Sequence, residues 1–330
     1  MRHSNERLAC YDRCMKAAVY TKYGPPEVLQ IEEIDKPIPK ANEVLVEVYA
    51  TTMNRTDTGF RSAEYFVSRF FTGLLKPRSI RSGSEFAGKV VEVGKDVTEF
   101  KPGDRVFGFN DTRFGAHAEY LVEDASGPIA KIPNGLSYKQ AAPAGEGATY
   151  ALNNIKAAGV KKGQMVMVYG ATGSIGSAAL QICKHFGANV TAVCNTKNVK
   201  LIKSLDADKV VSYEEEDFTK DTAKYDFIID AVGKASYGQV KHMLKPNGKY
   251  TSTGAHGIPI ALWHKVSGKG QAIFPFPKIN KEFIEFIAKL LASGEFKPVV
   301  DRIYPLSGIV EAARYAESGQ KTGNLVITVR

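Results

Sequence analysis

Residues 164–195 read QMVMVYGATGSIGSAALQICKHFGANVTAVCN, and this stretch decides the fold. It opens with an all-apolar strand, turns at Gly170, Gly173 and Gly176, continues as a helix and ends in a second apolar strand. Strands that are apolar on both faces and alternate with helices belong to a parallel sheet covered on both sides. Working outward, KVVSY (209–213), YDFIIDAVG (225–233) and GKYTSTG (248–254) supply further short apolar strands. On the N-terminal side, helical spacing dominates 137–158. A doubly wound domain is therefore expected over 138–275.

The flanking segments have a different character. KAAVYTKYGPP, LQIEEID and EVLVEVYATTM alternate apolar and polar residues between turns, as strands of an antiparallel, partly open sheet do. FAGKVVEVG, DRVFGF and AEYLVED continue the pattern, with a Pro-Gly turn at 101–104. Near the end, INKEFIEFIAKLLASGEF places Phe283, Phe286, Ile287, Leu290 and Leu291 on one helical stripe that stops at Gly294. A second helix over about 307–318 and a closing strand, NLVITVR, follow. These elements are expected to complete the first domain, giving 15–137 with 276–330 as one domain and 138–275 as the other. Residues 1–14, MRHSNERLACYDRC, have charges throughout and no apolar h-region. They read as a disordered extension ahead of a first strand that starts at Met15.

The composition excludes several classes. Of 330 residues, 44% are hydrophobic and 24% charged, which is ordinary for a globular protein. No apolar run is long enough to cross a bilayer, so no membrane partner is expected. The formal net charge is +9, but the lysines and arginines are dispersed and no DNA-binding motif is present. A mild attraction for anionic small molecules explains that charge better than nucleic-acid binding does. Cys10, Cys14, Cys183 and Cys194 form no CxxC pair and no metal-ligand cluster, which suits unpaired thiols in a reducing, cytoplasmic setting.

The glycine turn is where chemistry enters. The spacing Gly170, Gly173, Gly176 is not the commonest dinucleotide fingerprint, and a purely structural turn is the bland reading. Its place between a buried strand and a helix is what a dinucleotide pyrophosphate needs. Gly173 lets the backbone approach the phosphates. The N–H groups of Ser174 and Ile175 then lie at the positive end of a helix, and Gly176 permits close helix–strand packing. NAD-type sites place an acid after the second strand to hold the ribose 2′-hydroxyl. Here 190–205 contains no acid and carries Asn195, Thr196, Lys197, Lys200 and Lys203 instead. Such groups favour a 2′-phosphate, so NADPH is the expected cofactor.

MKAAVYTKYGPPEVL, MNRTDTGFR, GSEFAGKVVEVGKDVTEFKPGDRVFG, GAHAEYL, YGATGSIG, DAVG and KTGNLVI occur in that order over about 15–330. On these motifs the chain resembles the medium-chain dehydrogenase/reductase superfamily, in its zinc-independent, quinone-oxidoreductase-like branch. The resemblance implies an α/β fold: a GroES-like β-rich catalytic domain interrupted by a Rossmann doubly wound parallel-sheet domain, assembled as a homodimer or homotetramer. It implies that Asn54 and Asp57 shape the nicotinamide side of the site and that Thr149 lies beside the nicotinamide. It implies pyrophosphate contacts from Gly170, Thr172, Gly173, Ser174, Ile175 and Gly176. Asn195, Thr196, Lys200 and Tyr213 are implied around the adenosine and its 2′-phosphate. Ala231 and Val232 follow the supporting strand, and Gly254 and Asn324 touch the nicotinamide end.

In the zinc branch of that superfamily a cysteine and a Gly-His-Glu motif hold a catalytic metal. The corresponding positions here resemble Asn54 and Gly83-Ser84-Glu85, so the expected metal is none. His117 and His256 remain as lone histidines. The spacing from Asn54 to Tyr65 resembles that of related reductases and makes Tyr65 the candidate proton donor, with simple packing as the alternative. Segment 60–81 mixes Phe66, Phe70, Phe71, Leu74 and Leu75 with Arg61, Arg69, Lys76 and Arg78. It reads as a lid, a dimer contact or a packed surface helix. The expected activity is an NADPH-dependent reductase acting on a small-molecule quinone or α,β-unsaturated carbonyl. The alternatives are an enoyl-thioester reductase and a non-catalytic NADPH-binding protein.

Overall fold

The structure, a computed structural model, describes residues 13–64, 69–254, 257–268 and 270–330. The chain divides into two compact units. The first takes the described residues up to Gly145 with Ile279–Lys289 and Val300–Arg330; the second takes Glu146–Lys278 and Leu290–Val299.

The first unit opens with strands β1 (Cys14–Val19) and β2 (Gln30–Asp35), paired antiparallel as a separate two-stranded ribbon. The alternation suggested that they would join the main sheet. They do not, because β2 (QIEEID) has almost no buried face and Glu32 and Glu33 point to solvent. β1 begins one residue ahead of Met15. Next come β3 (Glu43–Thr52), helices α1 (Arg55–Ser62) and α2 (Arg69–Thr72), β4 (Glu85–Val93), β5 (Arg105–Phe109), β6 (Tyr120–Asp124), β7 (Ile129–Lys131) and the short helix α3 (Tyr138–Ala141). The 137–158 helix of the sequence pattern is broken after α3. Pro143, at φ −80 and ψ 15, has no N–H to continue the ladder.

The second unit contains α4 (Glu146–Ala158), β8 (Met165–Tyr169), α5 (Ser174–His185), β9 (Asn189–Cys194), α6 (Val199–Ser204), β10 (Lys209–Ser212), β11 (Tyr225–Asp230), α7 (Tyr237–Val240), β12 (Leu244–Ser252) and α8 (Gly257–Val266). Its sheet has the order β10-β9-β8-β11-β12, with every pairing parallel. That is the doubly wound arrangement, with order reversing between β8 and β11. Val166, Met167, Val168, Val190, Ala192, Ile228 and Ile229 are fully buried, as strands covered on both faces must be. Burial raises the thiols of Cys183 and Cys194 to about 12 and about 11, so both stay protonated and inert at neutral pH.

Helix α9 (Lys281–Ser293) buries Phe283, Ile284, Ile287, Leu290 and Leu291 and leaves Phe286 half-buried, a stripe slightly rotated from the expected one. Gly294, at φ +75, ends it. β13 (Val300–Pro305), α10 (Ile309–Glu317) and β14 (Asn324–Thr328) then complete the first unit's seven-stranded sheet. Its order is β13-β14-β3-β4-β5-β7, with β6 also on β3. Among the described residues no helix is long and apolar enough to cross a membrane.

One contact controls the second unit. A Cβ on Gly176 would lie 2.2 Å from the carbonyl oxygen of Gly170, so α5 can start directly above β8 only if residue 176 is glycine. Gly173 is different: its φ is −72 and a Cβ there would meet nothing closer than 3.6 Å. Gly176→Ala is therefore expected to lower unfolding free energy by about 1–3 kcal/mol. Gly173→Ala should leave it unchanged or slightly raised, by about 0.4–1 kcal/mol. Urea midpoints of the two variants check this; equal losses would refute the assignment.

Candidate functional site

In an open parallel sheet, ligands bind outside the carboxyl ends of the strands where the order reverses. Here that point lies above β8 and β11, and the sequence-predicted turn sits on it. Gly170 takes φ +75, and the amides of Gly170 and Ala171 both donate to the carbonyl of Val193 on β9. A Cβ on Gly170 would also strike Val232 at 2.6 Å, so Gly170 and Val232 meet across the reversal. Gly173 is the N-cap of α5, and Ser174 and Ile175 are its first residues. Their N–H groups have no partner in the preceding turn of helix and carry the positive end of its dipole. Thr172 is half-buried in the same turn.

Two hydroxyls nearby lack partners. Thr149 Oγ1, on α4, is fully buried and unbonded, and so is Ser174 Oγ. The two helices come together at Gly147, where a Cβ would lie 2.2 Å from Ser174 Oγ. A buried hydroxyl without a partner costs about 1–3 kcal/mol, which a ligand oxygen can recover. Helix amides plus free hydroxyls are a donor set that fits a diphosphate with its attached ribose. Gly147 escaped sequence reasoning, because nothing in the EGATY string says that it faces another helix.

Asp230 was missed as well. It is fully buried, and its carboxylate accepts the amides of Val232, Lys234 and Ala235 and the hydroxyl of Ser252. That holds the loop carrying Ala231 and Val232. Gly254 follows β12, and its amide donates to Ser252 Oγ at 3.1 Å.

At the other edge, Asn195, Thr196 and Lys200 surround the end of β9. Asn195 Oδ1 accepts from Asn198, Lys200 is exposed on α6, and the Thr196 hydroxyl lies 2.7 Å from Ser212 Oγ. Tyr213 stands beside Tyr169, ring centroids 6.2 Å apart, on an open groove of about 410 Å³ lined also by Glu214–Asp217 and Phe218. Glu214 Oε2 accepts the Thr196 amide at 2.9 Å. The stretch 190–205 is acid-free along the chain, yet an acid reaches it from the turn that follows β10.

In the first unit, Asn54 and Asp57 come together at the end of β3. Asp57 Oδ2 accepts the Asn54 amide at 2.9 Å and Oδ1 accepts the Ser84 hydroxyl at 3.0 Å. Asn54 Nδ2 donates to Glu85 Oε2 at 2.7 Å, which leaves Oδ1 buried without a partner. Thr52 Oγ1 donates to the same Glu85 oxygen at 2.6 Å. Glu85 Oε2 accepts from both the Thr52 hydroxyl and Asn54 Nδ2, which fixes the way the Asn54 amide faces. The β3–β14 pairing sets Thr52 opposite Val326, and the Met53 amide donates to Leu325 O at 3.0 Å, next to Asn324 at the start of β14. His117 is fully buried, with Nε2 donating to Thr52 O at 2.6 Å and Nδ1 2.9 Å from Ser82 Oγ, which makes it a structural histidine. Among the described residues no three His, Cys, Asp or Glu side chains form a metal cluster. Tyr65 and His256 lie outside the described residues. In the 60–81 segment, α2 is a single turn tied to Tyr23, whose hydroxyl meets Thr72 Oγ1 at 2.7 Å, and Leu75 is exposed.

Burial raises the Asp57 carboxyl above its ordinary value, opposed by His117 and by the bonds from Asn54 and Ser84. The folded state thus keeps this proton to a higher pH than the unfolded chain does. The stability it contributes is complete below the ordinary carboxylate range and is lost as pH rises through the raised value. Asp57→Ala should cost about 2–4 kcal/mol, from the lost helix cap and the stranded Ser84 and Asn54 donors. Asp57→Asn, which cannot titrate, should gain on the wild type as pH rises above the ordinary aspartate value of 3.8. Urea unfolding across a pH series checks both. A wild-type advantage that grows with pH would contradict the sign.

Residues 40–134 match the family described as alcohol dehydrogenase GroES-like domain, and 205–327 the family described as zinc-binding dehydrogenase. Residues 166–237 also match 1-deoxy-D-xylulose 5-phosphate reductoisomerase. A 2-methylene-furan-3-one reductase of Solanum lycopersicum is 32% identical over 325 residues, covering 95% of this chain and 79% of its own. The quinone oxidoreductase of Homo sapiens is 31% identical over 337 aligned positions, covering 97% and 99%. The solved quinone oxidoreductase from Coxiella burnetii superposes with a TM-score of 0.86 at 29% identity, covering 96% of this chain and 100% of its own. Likeness along the whole length, a GroES-like unit and a doubly wound parallel sheet with a helix-capped glycine turn lead to one assignment. This chain belongs to the medium-chain dehydrogenase/reductase superfamily, in its quinone-oxidoreductase-like branch, a family of nicotinamide-dependent oxidoreductases.

Proposed function

We propose that this protein reduces quinones or α,β-unsaturated carbonyl compounds with NADPH and without zinc. The observation that carries the reading is the Asn54 position. Where a metal-dependent relative needs a thiolate, this chain has an amide whose Nδ2 is committed to Glu85 and whose Oδ1 is free to accept from a ligand. Ser84 donates its hydroxyl to Asp57 and is no substitute for an imidazole ligand. Relatives named for a quinone and for a furanone support the substrate class.

A bound nicotinamide supplies a hydride, and the protein's own residues do the rest. The amides of Ser174 and Ile175, with Thr172, Gly170, Gly173 and Gly176 shaping the turn, would hold the pyrophosphate. The family resemblance gives Thr149 and Asn54 roles at the nicotinamide end, and Asp57 and Glu85 keep Asn54 in place. Asn195, Thr196, Lys200 and Tyr213 would surround the adenosine, with Ala231, Val232 and Gly254 beside the supporting strands, and the resemblance assigns Asn324 to the nicotinamide end. Hydride addition to the β-carbon of an enone leaves an oxyanion, and Tyr65 is assigned to donate a hydrogen bond or a proton to it. The buried thiols of Cys183 and Cys194, which form no disulfide, fit a cytoplasmic setting. A homodimer or homotetramer, as in the resembling family, is the proposed assembly.

The test is NADPH and NADH oxidation by chelator-treated protein against quinones, enones and enoyl-CoA esters. Full turnover without metal is expected, with NADPH bound about tenfold more tightly than NADH. Activity restored only by zinc, or equal dissociation constants for the two cofactors, would reject the corresponding part. Preference for enoyl-CoA esters would favour the thioester reductase, and no turnover at all a cofactor-binding protein.

Tyr65→Phe should keep NADPH affinity and lower kcat on enones by about tenfold or more, with a smaller loss on quinones. Unchanged kcat on both classes would remove Tyr65 from the chemistry.

A further inference from the structure

We propose that Glu214 sets how tightly the cofactor's 2′-phosphate is held, working against the lysines that follow β9. The inference rests on the nicotinamide-cofactor reading above and concerns the discrimination between the phosphorylated and unphosphorylated forms. In sheets of this kind that discrimination turns on the groups at the carboxyl end of the second strand. Read along the chain, this end offers only Cys194, Asn195 and Thr196. Read across the sheet, it offers more. β10 runs parallel to β9 with Ser212 opposite Cys194, and the Tyr213 amide donates to Cys194 O at 3.0 Å. The next residue is thereby carried to the side of Thr196, and the Glu214 carboxylate takes the Thr196 amide at 2.9 Å. The amides of Glu215 and Glu216 both return to Ser212 O, a turn that fixes the backbone on which Glu214 stands.

The local donors are thus engaged inside the protein: the Thr196 amide by Glu214, and the Thr196 hydroxyl with Ser212. A phosphate dianion arriving at that amide has to displace a carboxylate and then remain near it, which like charges oppose. A ribose 2′-hydroxyl meets no such conflict, because it can donate to the same carboxylate. Lys197 and Lys200, both exposed, pull the other way. Glu214 therefore narrows the NADPH preference that the lysines alone would produce.

The experiment is titration calorimetry of wild type, Glu214→Gln and Glu216→Gln with NADPH and NADH, and with the fragments 2′,5′-ADP and AMP. Glu214→Gln should raise the NADPH-to-NADH affinity ratio, and the 2′,5′-ADP-to-AMP ratio, by about fivefold or more. Glu216→Gln, exposed in the same acidic run without a bond to Thr196, should move them by less than about twofold. Ratios unchanged in Glu214→Gln overturn the proposal. So does an equal gain in Glu216→Gln, because a general acidic field would then suffice. If wild type binds NADH more tightly than NADPH, the cofactor choice under the proposed function fails. The shift between wild type and Glu214→Gln still decides the role of Glu214. Absence of binding by every ligand to all three proteins overturns both.

Discussion

The close approach of residue 176 to the carbonyl of Gly170 is the constraint on which the nucleotide-binding unit depends. The helix after β8 starts so near the strand that a methyl group at 176 would sit 2.2 Å from a backbone oxygen. That nearness brings the first amides of α5 to the carboxyl edge of the sheet, where the strand order reverses. A longer connection would leave the same amides facing solvent elsewhere. Gly147 repeats the device from the other side, letting α4 reach the first residue of α5. Backbone thus replaces side chain at these two close approaches, and the polar atoms left without a partner there are Ser174 Oγ and Thr149 Oγ1.

The first unit solves a different problem. It buries Asp57, Glu85 and His117 beside a sheet whose buried side chains are mostly apolar. Buried carboxylates persist only when donors reach them. Here each donor also has a positional consequence. The Asn54 amide N–H on Asp57 starts α1, the Ser84 hydroxyl ties β4 to that start, and Asn54 Nδ2 on Glu85 turns its carbonyl outward from the cluster. A polar network of this kind can hold one free acceptor in place without a metal ion.

Much of this was readable in the string. The apolar run 165–168, three glycines at three-residue spacing and a helix made the parallel unit plain, since period and turn chemistry are local properties. The same holds for the helix over Lys281–Ser293 and its glycine stop. Where reading failed, non-local facts were responsible. The β1–β2 ribbon stays apart because its second strand has no face to bury, although its alternation looked adequate. The helix predicted over 137–158 breaks at Pro143. Asp230 was part of a recognised motif, but its service as acceptor for three amides depends on a loop that folds back around it.

The sequence by itself determined the two architectures, the glycine turn and the residue types at the candidate site, because each follows from spacing along one chain. It also determined the absence of acid over 190–205, and there linear reading reached its limit. Parallel strands bring together residues about eighteen positions apart, and the register Ser212 opposite Cys194 delivers Glu214 to Thr196. Only the tertiary structure decides such pairings. Hydrogen-bond register is set by how whole strands pack against the helices that connect them, and no short window of sequence contains that information.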